Sequence, residues 1–120
     1  LLGRLLWVAA IGWTLAVVVA LWMPPPPVVI PNWWADKVTH LVMFIGVGGL
    51  WGVTTGKWSW VVVGGIALGA LTEVGQEWWP WERHGDWVDF GFDSLGVLIG
   101  TAAARLVRPY VEYSLSPRAS

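Results

Sequence analysis

The run Leu5–Met23, LLWVAAIGWTLAVVVALWM, holds 19 uncharged residues and follows directly on Arg4. About 20 apolar residues span a hydrocarbon core of roughly 30 Å, so this stretch reads as a transmembrane helix. It exceeds the h-region of about 7 to 15 residues of a secretory signal peptide and lacks a clean small-x-small cleavage site, so a retained helix is expected. Pro24 to Pro27 and then Pro31 stop it. Proline brings no amide proton and turns the preceding residue away from the helical conformation.

Working outward, three more stretches have the same character. Residues 36–56 (DKVTHLVMFIGVGGLWGVTTG) enter through a polar turn and end before Lys57. Residues 58–77 (WSWVVVGGIALGALTEVGQE) form a third span, and Asp86 to about Leu106 a fourth. The expected fold is all-α: a polytopic membrane protein built as a four-helix transmembrane bundle over residues 1–108. A cytoplasmic tail over 109–120 follows, where Pro109 and Pro117 oppose long regular structure. Gly46, Gly48, Gly49 and Gly52, with Gly65 and Gly69 on the face that carries Glu73, offer surfaces where helix backbones approach closely.

Composition agrees with a lipid solvent. Only 12% of residues are charged, 56% are hydrophobic and mean hydropathy is +0.59, whereas soluble domains carry about 25% charge. Twelve tryptophans fall mostly where the apolar runs begin or end, the position of an interfacial aromatic belt. A net charge of −1 provides no basic footprint for nucleic acid. The absence of cysteine excludes disulfides, thiolate metal sites and a cysteine nucleophile.

Charge asymmetry predicts the orientation. Arg4, Lys57, Arg105, Arg108 and Arg118 share one side of a four-span protein, and Lys37 and Arg83 the other. The positive-inside rule then puts both termini in the cytoplasm. Seven of the eight acidic residues fall at the outer end, Glu112 being the exception.

That outer end carries the chemistry. Asp86, Asp89, Asp93, Gly96 and Gly100 alternate at three- and four-residue spacing, which lines them along one helix face. Asp93 lies roughly 10 Å inside the fourth span at 1.5 Å per residue, where a lipid-facing carboxylate costs about 2.5 to 3.5 kcal/mol. The face must look inward. Glu73 and Gln76 lie one turn apart in the third span, and Asp36, Lys37 and His40 open the second, with Phe44 one turn below His40. Arg83, in the last loop, has the bidentate geometry that suits a carboxylate.

Several readings of this cluster stay open. It could be a hydrogen-bonded clamp in which Lys37 and Arg83 neutralise carboxylates. The preferred reading is a polar pocket open to the outer surface. There Asp36, Lys37, His40, Glu73, Gln76, Arg83, Asp86, Asp89 and Asp93 contact a ligand, Lys37 and Arg83 hold an anionic group such as a phosphate, and Trp33, Trp34, Trp78 and Trp79 form the rim. His40, Glu73 and the aspartates suit a divalent ion, but no metal-binding spacing is present and no metal site is predicted. Glu73 beside His40 could do acid and base work, yet nothing resembles an activated nucleophile, so catalysis is not expected. No cofactor is predicted, although a lone histidine in a span could serve as axial ligand of a haem or chlorin.

The run Asp36-Lys37-x-x-His40-x-x-x-Phe44, then Glu73-x-x-Gln76, then Pro80-x-x-Arg83-x-x-Asp86-x-x-Asp89-x-x-x-Asp93-x-x-Gly96-x-x-x-Gly100 resembles the VanZ-like family of membrane proteins. The similarity covers about residues 30 to 105. Where the family usually has asparagine, this chain has Asp93. The resemblance implies a small multi-spanning protein of a bacterial inner (cytoplasmic) membrane with polar groups at the outer face. The family's named member is associated with low-level teicoplanin resistance. From the position of the pocket at the outer leaflet, the expected partners are membrane lipids, with a lipid headgroup, a lipid-linked precursor or a glycopeptide as ligand. The alternative is a structural accessory subunit of a larger respiratory or photosynthetic-type complex, packing through its Trp and Gly faces.

Overall fold

A computed structural model describes residues 1–23, 33–78 and 85–117. Four helices make up the described chain: α1 (Leu2–Trp22), α2 (Trp33–Thr55), α3 (Trp58–Trp78) and α4 (Trp87–Leu115). Each is long and apolar enough to cross a membrane. At 1.5 Å per residue, a 21-residue helix such as α1 or α3 is about 32 Å long, the thickness of the hydrocarbon core. The protein is an all-α, four-helix, multi-pass membrane protein.

The helices alternate in direction. Thr54 of α2 bonds the Leu6 carbonyl near the start of α1, and Trp13 Nε1 donates to the Met43 carbonyl at 2.8 Å. Gln76 Nε2, near the end of α3, donates to the Leu21 carbonyl near the end of α1 at 2.8 Å. The ends 22/33 and 78/87 therefore share one end of the bundle, and both terminal segments share the other with the α2–α3 turn. That turn is tight. Gly56 adopts φ 65° there, a left-handed conformation that a side chain disfavours.

Small residues set the packing between helices. A Cβ on Gly96 of α4 would lie 2.6 Å from the Leu41 carbonyl oxygen, and one on Gly52 of α2 would lie 2.7 Å from the Ala104 Cβ. Backbone approaches backbone along α2 and α4, as the glycine spacing predicts. Gly65 of α3 makes room for Val97 in the same way. Val17, Leu21, Phe44, Val47 and Val97 form the buried apolar core. Outward-facing leucines, valines and tryptophans cover the bundle; in lipid they need no other cover.

Three boundaries differ from the sequence reading. α1 begins at Leu2, and α2 begins at Trp33, one turn before Asp36. The larger difference is α4, which runs through Pro109 to Leu115 instead of ending near Leu106. Proline removes the partner of one carbonyl four residues back, that of Arg105. Arg108 offsets this by bonding the Val53 carbonyl of α2 and pairing with Glu112 Oε1 at 2.8 Å.

Candidate functional site

The acid-rich end is assembled by three helix termini. Asp86 caps α4: its backbone is extended and its Oδ1 accepts from the Val88 amide at 2.8 Å, satisfying one of the open donors of the first turn. Asp89 follows in that first turn, as Asp36 does in α2, where carboxylates are favoured by the positive end of the helix dipole. These local preferences put three carboxylates around one point.

Lys37 occupies that point. Its Nζ donates to Asp36 Oδ2 at 3.1 Å, to Asp86 Oδ2 at 2.8 Å and to Asp89 Oδ1, and it stands 5.5 Å from the centroid of the Trp33 ring. An ammonium has three protons, and all three are engaged. Lys37 is only 2% exposed, so it has no donor left for an incoming phosphate. At the mouth of the network, hydrogen bonding to Lys37 holds the Asp86 carboxyl below its ordinary range, against a smaller opposing effect of burial.

One turn deeper, His40 Nδ1 lies 2.8 Å from Asp93 Oδ1 and its Nε2 lies 3.5 Å from Asp89 Oδ2. Phe44, fully buried, closes the interior beneath it. Glu73 arrives from α3, its Oε2 accepting the Asp86 amide at 2.7 Å. Gly69, one turn earlier, brings the two helices together: a Cβ there would be 3.2 Å from the Asp93 Cβ. Among the described residues, Glu73 Oε1 and Asp93 Oδ2 are buried without a hydrogen-bond partner. Two groups could hold a cation by proximity, Asp36/His40/Asp89 and His40/Glu73/Asp93, each offering one donor atom per residue within 4.8 Å of the others.

Of the residues singled out in the sequence, Asp36, Lys37, His40, Glu73, Asp86, Asp89 and Asp93 meet here. Gln76 does not join them. It is buried, but its amide turns to the Leu21 carbonyl and fastens α1 to α3. Arg83 lies outside the described residues. Of the expected rim, Trp33, Trp34 and Trp78 are exposed, and Trp79 lies outside the described residues.

Beside the network is a cleft of about 190 Å³ lined by Glu73, Val74, Glu77, Trp78, Gly85 and Trp87. Glu77 Oε1 accepts the Gly85 amide at 2.9 Å and so shapes its wall. The sequence reading did not assign Glu77, Gly85 or Trp87 to the pocket. The Glu73–Glu77 four-residue spacing on one helix was the available signal. At the opposite end, a second cavity of about 350 Å³, lined mostly by apolar residues, runs between α1, α2 and α3 past Trp51 and Trp60.

No family model, curated protein or solved structure matches the chain.

Proposed function

We propose that this chain is a VanZ-like protein of a bacterial cytoplasmic membrane that receives, at its acid-rich end, the headgroup of a lipid or a lipid-linked or glycopeptide ligand. The cleft at Glu73, Glu77, Trp78 and Trp87 carries this reading. It opens where helix ends meet the interface, and two indoles there, 86% and 71% exposed, form an amphipathic rim. The five-to-two Lys/Arg asymmetry supports an outward orientation for this end, with both termini in the cytoplasm.

The chemistry of the cleft favours one part of a headgroup. Lys37 is saturated by carboxylates, so the phosphate contact expected of it is withdrawn. Carboxylates beside tryptophan faces suit an ammonium, through charge and through cation–π attraction of about 0.5 to 2 kcal/mol. The ligand's amine is therefore the group that enters.

Native mass spectrometry of the gently solubilised protein tests this. Lipids with primary-amine headgroups should remain bound and be lost in Glu77→Gln, which keeps an acceptor for the Gly85 amide. Equal retention in wild type and variant overturns the headgroup reading. Stable association with other membrane subunits would favour the accessory-subunit role. For orientation, single cysteines replacing exposed Trp33 and Ser116 can be blocked with an impermeant reagent on intact cells. Blocking of the Ser116 position alone inverts the topology.

A further inference from the structure

We infer that His40, Glu73 and Asp93 form a binding site for one first-row divalent transition-metal ion. The three residues come from α2, α3 and α4 and are 3%, 2% and 0% exposed. One donor atom from each lies within 4.8 Å of the other two. Donors bound to a common ion at about 2.0 to 2.2 Å stand roughly 3 to 4.4 Å apart, so small side-chain adjustments suffice.

The second observation is the pair of orphaned oxygens. Among the described residues, Glu73 Oε1 and Asp93 Oδ2 are buried with no partner. Buried carboxylate oxygens are ordinarily satisfied, and an unsatisfied one calls for an absent proton, water or ion. Two carboxylates and a neutral imidazole carry two negative charges, which a divalent ion neutralises. The neighbouring group Asp36/His40/Asp89 differs, because Lys37 Nζ already bonds both of its carboxylates. A metal ion there would meet an ammonium.

The histidine is oriented for the deeper site. With the ion on Nδ1, the proton moves to Nε2, which faces Asp89 Oδ2 at 3.5 Å. An imidazole held from behind by a carboxylate is the usual outer support of a metal-bound histidine. The ion would replace the proton now shared by Nδ1 and Asp93 Oδ1 at 2.8 Å, a separation close to the edge of about 3 Å in an octahedron with bonds near 2.1 Å, and a bidentate Asp93 carboxylate would give the orphaned Oδ2 its partner as well. One imidazole among oxygens favours zinc, manganese or iron over magnesium and calcium.

This inference goes beyond the headgroup reading, since the trio is interior while the cleft opens at the interface. Glu73 touches both, so metal and lipid must be measured on the same samples. The full-length protein in mild detergent, stripped with chelator, is titrated with Zn²⁺, Mn²⁺ or Mg²⁺ alone. One equivalent of Zn²⁺ or Mn²⁺ should survive gel filtration, and Mg²⁺ should not. The isosteric changes Glu73→Gln and Asp93→Asn should each weaken binding at least tenfold, while Asp36→Asn should not. With wild-type protein and Mn²⁺, pulsed electron paramagnetic resonance should detect one coordinated imidazole nitrogen, a readout that requires no variant to fold. Binding that is substoichiometric and indifferent to all three changes would mean an adventitious ion only and overturn the site. Loss in Asp36→Asn alone, or Mn²⁺ without a nitrogen ligand, would overturn it equally. Absent metal with amine lipid still bound removes this site and leaves the headgroup reading standing.

Discussion

The seam between α2 and α4 is made in two ways along its length. In one half Gly48, Gly52, Gly96 and Gly100 bring the backbones together, with no room for a methyl group. In the other half the same helices are joined by Lys37 and His40 reaching Asp86, Asp89 and Asp93. The glycine half gains van der Waals contact and leaves nothing charged behind if it is disturbed. The charged half depends on every partner, because a buried ion that loses its counterion has no water to turn to. Contact holds the first half, and neutrality holds the second.

The largest effect should therefore come from the charged half. Lys37→Ala leaves three carboxylates facing one another and should destabilise the bundle by about 3 to 5 kcal/mol, measured by reversible unfolding in mixed micelles. A double change that also converts Asp89 to asparagine should recover part of the loss; no recovery would mean that Lys37 acts through its packed stem and not its charge. Next comes Gly96→Ala. The new methyl would meet the Leu41 carbonyl at 2.6 Å, and overpacking of this kind costs about 1 to 3 kcal/mol. An unchanged midpoint would show that the glycine half is looser than its geometry.

Sequence made the four-helix plan readable because charge-free runs of this length have few other uses, and the proline run and Lys57 mark ends unambiguously. It also brought the right acids to one end through helical spacing. Gln76 shows where that reasoning stops. Three residues from Glu73 leaves about 60° of rotation, enough to turn one side chain to α4's cap and the other to α1. Spacing could not decide whether Lys37 neutralises carboxylates or holds an anionic ligand, because its partners Asp86 and Asp89 lie two helices away. The trio of His40, Glu73 and Asp93 has no local spacing to read, since each residue comes from a different helix. Pro109 misled for the opposite reason: a local rule was overridden by Arg108, through its tertiary bond to the Val53 carbonyl of α2 and its pairing with Glu112 one turn on.

Two smaller effects sharpen the contrast. Asp86 has its carboxyl pKa lowered in the folded state by Lys37. Its stabilising effect is therefore complete above the ordinary aspartate range near 4 and is lost as pH falls through the lowered value. Its side chain is 42% exposed, so the effect should be below about 1 kcal/mol. Thermal midpoints of wild type should fall in acid more steeply than those of Asp86→Asn; parallel curves would remove Asp86 from the charged half. The smallest loss belongs to Gly64→Ala. A Cβ there meets nothing within 4 Å, so stability should not fall, and the higher helix propensity of alanine should add at most about 1 kcal/mol. A loss would mean that this face is packed against something other than lipid.

The pairing of Lys37 with Asp86 and Asp89, and of His40 with Asp93, joins residues 49, 52 and 53 positions apart. At about 5 to 20 residues per second, a ribosome takes roughly 3 to 10 seconds to supply those acids. During that interval α2 has been synthesised and α4 has not. The one carboxylate bonded to Lys37 that is made alongside it is Asp36, adjacent in the chain and bonded to the ammonium at 3.1 Å. In the finished protein Asp36 is the most exposed of the three carboxylates on Lys37. Until α4 is made, Asp36 is the carboxylate on hand to offset the charge of Lys37. Removing it should reduce the amount of protein inserted more than the stability of what has been inserted.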